Sequence, residues 1–398
     1  MESALIWFGF FVSFGLLLLV SRWRLWFGLV VASYVLGLFS LSPVDLWQQT
    51  LKTISDPAVL ALALAVGLIP IIGGAMEFSG LMDDLVSNLK LKRKSFMAFT
   101  SAFIGLLPMP GGALLSAPLL DRAGDAVPPS IKSAINIWFR HVFLLIYPLG
   151  ALLASSRMAN LNLYSAAVYL LPGFVLMLVL GYCLILRYVK DQTPEKRALN
   201  RRKLILPVII ILIAPIIHFA LMMLFEELMQ EIPLLVGVSI SLGLALAAGR
   251  INRQQFKLIA QKMKPWNFAL IILGMFLYLN IFKASETSRV IADAAFSKVF
   301  LVVGIGALLG FVTGRVQVPI SILLPIYFIQ YKTDTVSPFI FAVMFFAVYQ
   351  GYIISPVHPC VTVTVEYFKT EMKDFYKLLA IPGLIGIALA WLVGSVFF

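Results

Sequence analysis

The sequence predicts an all-α membrane protein of about ten transmembrane helices in two inverted repeats, each carrying a re-entrant helical hairpin. Three observations lead there. The chain of 398 residues is 61% hydrophobic and 13% charged, with mean hydropathy +0.97, whereas soluble domains carry about 25% charged residues. Its apolar runs have the roughly 17–25 residues that a bilayer demands. Two further apolar segments, one per half, are interrupted by proline and glycine: FIGLLPMPGGALLSAPLLD (103–121) and LGFVTGRVQVPISILLPIYF (309–328). Breaking a helix at membrane depth strands backbone polar groups, which is tolerated only where the break is buried in protein or lines a cavity. Paired breaks at matching positions point to the substrate site of a transporter built from inverted repeats.

Taken in order, the spans fall at 4–20, 25–41, 58–76, 131–154, 163–187, 203–224, 233–249, 267–282, 337–363 and 377–398. The first has no basic leader and no A-x-A-like end, and Arg22 and Arg24 follow it. It therefore reads as a span and not as a cleaved signal. The broken segments 97–120 and 298–330 stand apart, each behind an amphipathic stretch, 78–96 and 283–297. The order span, span, span, amphipathic piece, hairpin, span, span fills 1–202 and repeats over 203–398. Five crossings per half is an odd number, so the halves run in opposite orientation. Pro118 superposes on Pro325 at an offset of 207, and Pro148 on Pro356 at 208, an internal repeat in outline.

Lysine and arginine set the orientation. With both termini outside and both hairpins re-entrant, 23 basic residues face inward and six outward, and Arg140 and Arg315 remain within the membrane. Were 97–120 an ordinary kinked span, the clusters at 187–203 and 250–264, twelve basic residues in all, would face outside. The second hairpin rests on symmetry with the first. This placement explains the net charge of +12 better than a nucleic-acid partner does.

Charge within the membrane marks the site. Arg140 lies mid-span in INIWFRHVFLLIYPLG; an arginine there costs about 2.5–3.5 kcal/mol and has to face a cavity or a partner. Ser133, Asn136, Arg140 and Tyr147 fall on one helical face, with His141 about 100° round it, and Pro148 breaks the helix. Arg140 and Asn136 then form an anion site, or Arg140 caps stray carbonyls. At the first tip, Pro108 and Pro110 stop the descending helix, while Gly111 and Gly112 let backbone approach a ligand closely. The helix that follows aims free N–H groups and a positive dipole end at it. At the second tip, Gly314, Arg315 and Gln317 precede Pro319, a residue favoured at helix starts. Ser116 and Ser321 either line the site or bond their own helices. In the ninth span, AVYQGYIISPVHPCVTV breaks between Gly351 and Pro359, which makes Gln350, Ser355 and His358 lining candidates. His358 reads equally as a loop residue satisfied by backbone, His141 as a structural hydrogen bond or a proton carrier, and His218, beside Pro215, as packing.

Other classes are disfavoured. Cys183 and Cys360 offer neither a disulfide framework nor metal-ligand spacing, and the three scattered histidines form no cluster with them. No metal or cofactor is expected beyond a coupling Na+ or H+. No carboxylate sits clearly at mid-membrane depth: Asp121, Glu226, Glu227 and Glu366 fall near ends or loops. An anionic substrate is thereby favoured over cation exchange. There is no nucleophile elbow, zinc-protease motif or phosphate-binding loop to indicate an enzyme. Opposed hairpins suit alternating access better than a continuous pore.

LLPMPGGALLSAPLLD, NIWFRH, GFVTGRVQVPIS and YIISPVHPC together resemble the domain-of-unknown-function 401 family of prokaryotic membrane proteins, within the ion transporter superfamily. The resemblance covers essentially the whole chain. Superfamily relatives include gluconate permeases, citrate and dicarboxylate transporters, and some sodium/proton antiporters. It implies hairpins that move with neighbouring helices as an elevator against a scaffold, often in a homodimer. The tips would be Pro108 to Gly112 and Gly314 to Pro319, and the broken helices Asn136 to Pro148 and Gln350 to Pro359. The Ser-Asn-Thr signature of the sodium-coupled dicarboxylate branch is absent. The expected function is a secondary active transporter of the prokaryotic inner membrane, symporting a small carboxylate-like anion with protons or sodium. A cation/proton antiporter and a lipid-phosphate translocase are the alternatives.

Overall fold

Apolar runs become helices here, and proline and small polar residues decide where each begins. The computed structural model describes residues 2–21, 23–89, 91–106, 112–124, 126–191, 200–225, 227–292 and 296–398. The first half lays down α1 (Glu2–Ser21), α2 (Leu25–Leu38), α3 (Pro43–Ser55), α4 (Pro57–Phe78), α5 (Leu81–Ser87), α6 (Arg93–Gly105), α7 (Gly112–Ala123), α8 (Pro129–Ile146), α9 (Ala151–Met158) and α10 (Leu163–Leu180). The second lays down α11 (Arg201–Leu224), α12 (Glu231–Ala248), α13 (Arg253–Met263), α14 (Pro265–Ala284), α15 (Glu286–Ala292), α16 (Gly306–Thr313, preceded by a π-helical stretch Phe300–Ile305), α17 (Gln317–Gln330), α18 (Pro338–Ile353), α19 (Pro359–Tyr367) and α20 (Met372–Phe397). Pro43, Pro57 and Pro338 each open a helix behind a capping side chain, Ser42, Asp56 and Ser337, which accepts from the first-turn N–H groups. Proline is suited to that first position because its missing N–H would be unpaired there anyway.

All ten sequence-derived spans coincide with helices or broken helices. Six described helices are long and apolar enough to cross a membrane, seven if the α8–α9 pair, bent by 42°, is one span. The chain is a multi-pass helical membrane protein. Two elements escaped the hydropathy reading: α3 and α13, amphipathic helices before the third and eighth spans. Their signals were local, a Ser42–Pro43 start and an Asn252–Gln255 capping box. Only a narrow stripe of each is buried, Leu46, Thr50 and Thr53 on α3 and Ile259 and Met263 on α13.

The two breaks in the spans are real. α8 ends at Ile146 and α9 starts at Ala151, with Pro148 between; α18 ends at Ile353 and α19 starts at Pro359, with Pro356 between. Tyr147 corrects the one-face reading of α8. It lies past the helix end, and its hydroxyl donates to the Ile211 carbonyl of α11 at 3.0 Å.

Packing relations recur with the halves exchanged. α2 lies on α14 and α12 on α4; α3 lies on α14 and α13 on α4; α6 lies on α8 and α16 on α18; α7 meets α19 and α17 meets α9. The seams between the first hairpin arms and the broken helices are glycine-lined in both halves. A side-chain carbon on Gly105 would stand 2.2 Å from the Arg140 carbonyl oxygen, and one on Gly310 would stand 2.1 Å from that of Val348. Small residues of this kind let membrane helices approach backbone to backbone. The second hairpin closes at its base, where Gln330 Nε2 and the Tyr331 hydroxyl both donate to the Phe296 carbonyl. In the first, Lys132 of α8 holds Asp121 near the end of α7 at 2.6 Å.

Candidate functional site

The end of the second hairpin, the α18–α19 break and the middle of α8 meet in one buried region. Gly314 ends α16 in the left-handed conformation, φ 59°, which a residue without Cβ adopts at little cost. The close approach it permits is to protein: a Cβ there would stand 2.9 Å from the His358 nitrogen. The second hairpin tip is therefore seated on the α18–α19 break. Arg315 follows, half-buried, its own N–H held by the Thr313 hydroxyl. Gln317 and Pro319 lie in the first turn of α17. Ser321 bonds the Val318 carbonyl of its own helix at 2.8 Å, and Ser355 donates to the Phe311 carbonyl of α16 at 2.6 Å. Both serines have structural partners.

On the first half, Asn136 is a strut. It accepts from the Ser116 hydroxyl at 2.6 Å and donates to the Ala113 carbonyl at 3.1 Å and the Thr364 hydroxyl at 3.0 Å. One side chain thus ties α7, α8 and α19 together. Asn136→Ala removes the donor to the buried Thr364 hydroxyl and cuts the tie between α7, α8 and α19, a loss of about 1–3 kcal/mol. The expected result is a lower melting temperature in detergent, which Asn136→Asp reverses at most in part because it cannot supply both donated bonds. Pro108, Pro110 and Gly111 lie outside the described residues; Gly112 is the first residue of α7.

Four aromatic and imidazole rings gather at the centre. His141 Nδ1 faces the Ile137 carbonyl at 2.6 Å and its Nε2 faces the Tyr352 hydroxyl at 3.2 Å. The His358 ring lies 4.8 Å from that of His141 and 4.1 Å from that of Tyr352, centroid to centroid, and the Tyr349 hydroxyl donates to the His141 carbonyl. Sequence reasoning passed over Tyr349 and Tyr352, although both lie in the stretch that contains the ninth-span break. His358 is not the backbone-satisfied loop residue expected as one possibility, because both its ring nitrogens are buried without a partner. The absence of any histidine–cysteine cluster is overturned as well. His141, His358 and Cys360 bring their ligand-capable atoms within 4.8 Å of one another, although 217 residues separate His141 from His358. His218 does pack, against Tyr164 at 2.7 Å and the Gln230 carbonyl.

Two guanidiniums flank this cluster, one from each half. Arg140 is 4% exposed, and its Nη1 is buried with no hydrogen-bond partner. Arg140 precedes His141 in α8, and Arg315 follows the Gly314 tip that is seated on the His358 backbone. Neither forms an ion pair with a carboxylate among the described residues. Gln350 adds a buried amide whose oxygen and nitrogen are also unpartnered. Asp121 and Glu366 are exposed. Glu231, at the start of α12, is a buried carboxylate but pairs with Arg157.

A family model described as a protein of unknown function, DUF401, matches residues 6–397. The chain belongs to the DUF401 family. This DUF401 protein also shares its fold with a transporter named YdaH from Alcanivorax borkumensis, whose crystal structure is described as revealing an unusual topology. The TM-score is 0.61 at 16% identity, over 98% of each chain. No curated protein matches it.

Proposed function

We propose that this DUF401 protein is a secondary active transporter of a small organic anion, carboxylate-like in charge and size, driven by a proton or sodium gradient. The observation that carries the reading is the pair of guanidiniums, Arg140 and Arg315, one from each half, set beside a common buried cluster with no carboxylate among the described residues to neutralise them. Buried charge is retained where it is paired, and within a membrane segment an unpaired one marks a substrate or ion path. An anionic cargo supplies the missing charge. The exchanged packing of the halves supports inverted repeats over 1–202 and 203–398, with ten crossings, re-entrant hairpins and both termini outside. The likeness to the YdaH transporter supports transport in general.

In this mechanism the anion sits between the hairpin tips, contacting Arg140 and Arg315. Asn136 and Ser116 hold the first arm in place, and Gly314 and Ser355 hold the second. The group comprising both hairpins and α8–α10 with α18–α20 moves as an elevator against the group formed by α1–α4 and α11–α14, within a homodimer of the inner membrane. The fold belongs on this reading to the ion transporter superfamily. Solid-supported-membrane recording on proteoliposomes tests it, with a panel of carboxylates under sodium or pH gradients. A current evoked by one carboxylate and dependent on one gradient is expected. Sodium movement that follows pH and ignores every anion would replace this reading with cation exchange.

A further inference from the structure

We propose that His141, His358 and Cys360 form a binding site for a thiophilic transition-metal ion such as Zn2+, held with an anion as its remaining ligand. Their donor atoms already lie within 4.8 Å of one another. The His141 Nδ1 contact to the Ile137 carbonyl, at 2.6 Å, puts the ring proton on Nδ1, so the Nε2 lone pair accepts from the Tyr352 hydroxyl at 3.2 Å, a neutral contact that a metal ion displaces. A backbone carbonyl behind a histidine in this way is the arrangement that orients a metal ligand. His358 is 1% exposed, and neither ring nitrogen has a partner. No hydrogen bond competes with a metal for it. Cys360 supplies the sulfur that selects zinc-like and softer ions over magnesium or calcium.

The geometry is close to what such an ion requires. Tetrahedral zinc with bonds of about 2.0–2.3 Å places its ligands about 3.3–3.8 Å apart. The cluster therefore closes by about 1 Å, a movement within reach of side-chain rotation at Cys360 and His358. Three protein ligands with one position open is the pattern of a site that exchanges its fourth ligand, as opposed to a closed structural centre. The surrounding charge decides what fills that position. Arg140 and Arg315 oppose a bare dication. The Cys360 thiolate offsets one charge, and an anion in the open position offsets another. Chloride suffices for this, so the site stands whether or not a carboxylate is the cargo.

The test is a Co2+ titration of the Cys183→Ser chain, purified in detergent in a chloride buffer. Cys183 is exposed and is the only other cysteine, so the substitution removes adventitious thiol binding without disturbing the core. The expected result is one equivalent of Co2+ per chain, with a thiolate-to-cobalt charge-transfer band that Zn2+ abolishes. Adding Cys360→Ser should remove the band. His358→Gln should weaken binding by more than about tenfold, since even second-shell losses cost 10–100-fold. Absence of the band from the Cys183→Ser chain overturns the proposal, and so does its persistence after Cys360→Ser. The first of these readings needs no variant at the site, so a folding defect in His358→Gln does not blunt the test.

Discussion

Arg140→Gln should abolish anion-evoked current while the chain still folds and inserts. Losing one member of a buried charge pair costs about 2–5 kcal/mol. Read as affinity, that is roughly 30-fold to several thousandfold. Glutamine keeps much of the length and an amide donor, so the change isolates the charge. The fold should not suffer, because Nη1 has no partner to lose and removing an unmatched buried charge is often neutral or stabilising. The melting temperature in detergent should therefore hold or rise. The capping alternative makes the opposite forecast, since a guanidinium that satisfies stray carbonyls leaves them bare when it goes. A poorly folded Arg140→Gln chain would assign the residue to structure and remove the main support for an anionic cargo.

Gly351→Ala should damage stability and transport together. The new methyl would stand 2.0 Å from the Ala307 carbonyl oxygen and 2.9 Å from the Phe311 nitrogen. Both are backbone atoms of α16, so no side chain can rotate away and the helices themselves have to part. Overpacking of this kind costs about 1–3 kcal/mol. The displaced seam carries Gln350 on one side and the Gly314 tip on the other, so the site is disturbed with it. Gly243→Ala is the matched control. Nothing lies within 4 Å of the added carbon, and alanine is the better helix former by about 1 kcal/mol. Detergent melting curves for the two variants should diverge in opposite directions, and equal curves would refute the close-packed seam.

Much of the helical frame was legible before any coordinates. Each span announced itself because a bilayer leaves long apolar runs no alternative to helix, and Pro148 and Pro356 announced the breaks because proline cannot continue a helix. Arg140 and Arg315 stood out by the same logic, as charges where charge is expensive. The amphipathic helices α3 and α13 were missed because averaged hydropathy hides a narrow apolar stripe. Tyr147 was misplaced because a helical wheel drawn through Pro148 assumes a helix that ends before it.

The site itself was legible only in part. Asn136 looked like a ligand, but its bonds to Ala113, Ser116 and Thr364 could be seen only once α7 and α19 were in place. Gly314 read as a substrate-binding candidate at the second tip and proved to seat one backbone on another. The sequence by itself determined the class of protein, its apolar helices, the breaks and the charged positions, because each of these is a local response to proline, glycine or a lipid surround. Tertiary structure alone decided that His141, His358 and Cys360 meet and that Tyr352 joins them. His141 reaches the other three across at least 211 residues of chain, and no local pattern records that, because packing between the halves and not spacing along the chain brings them together.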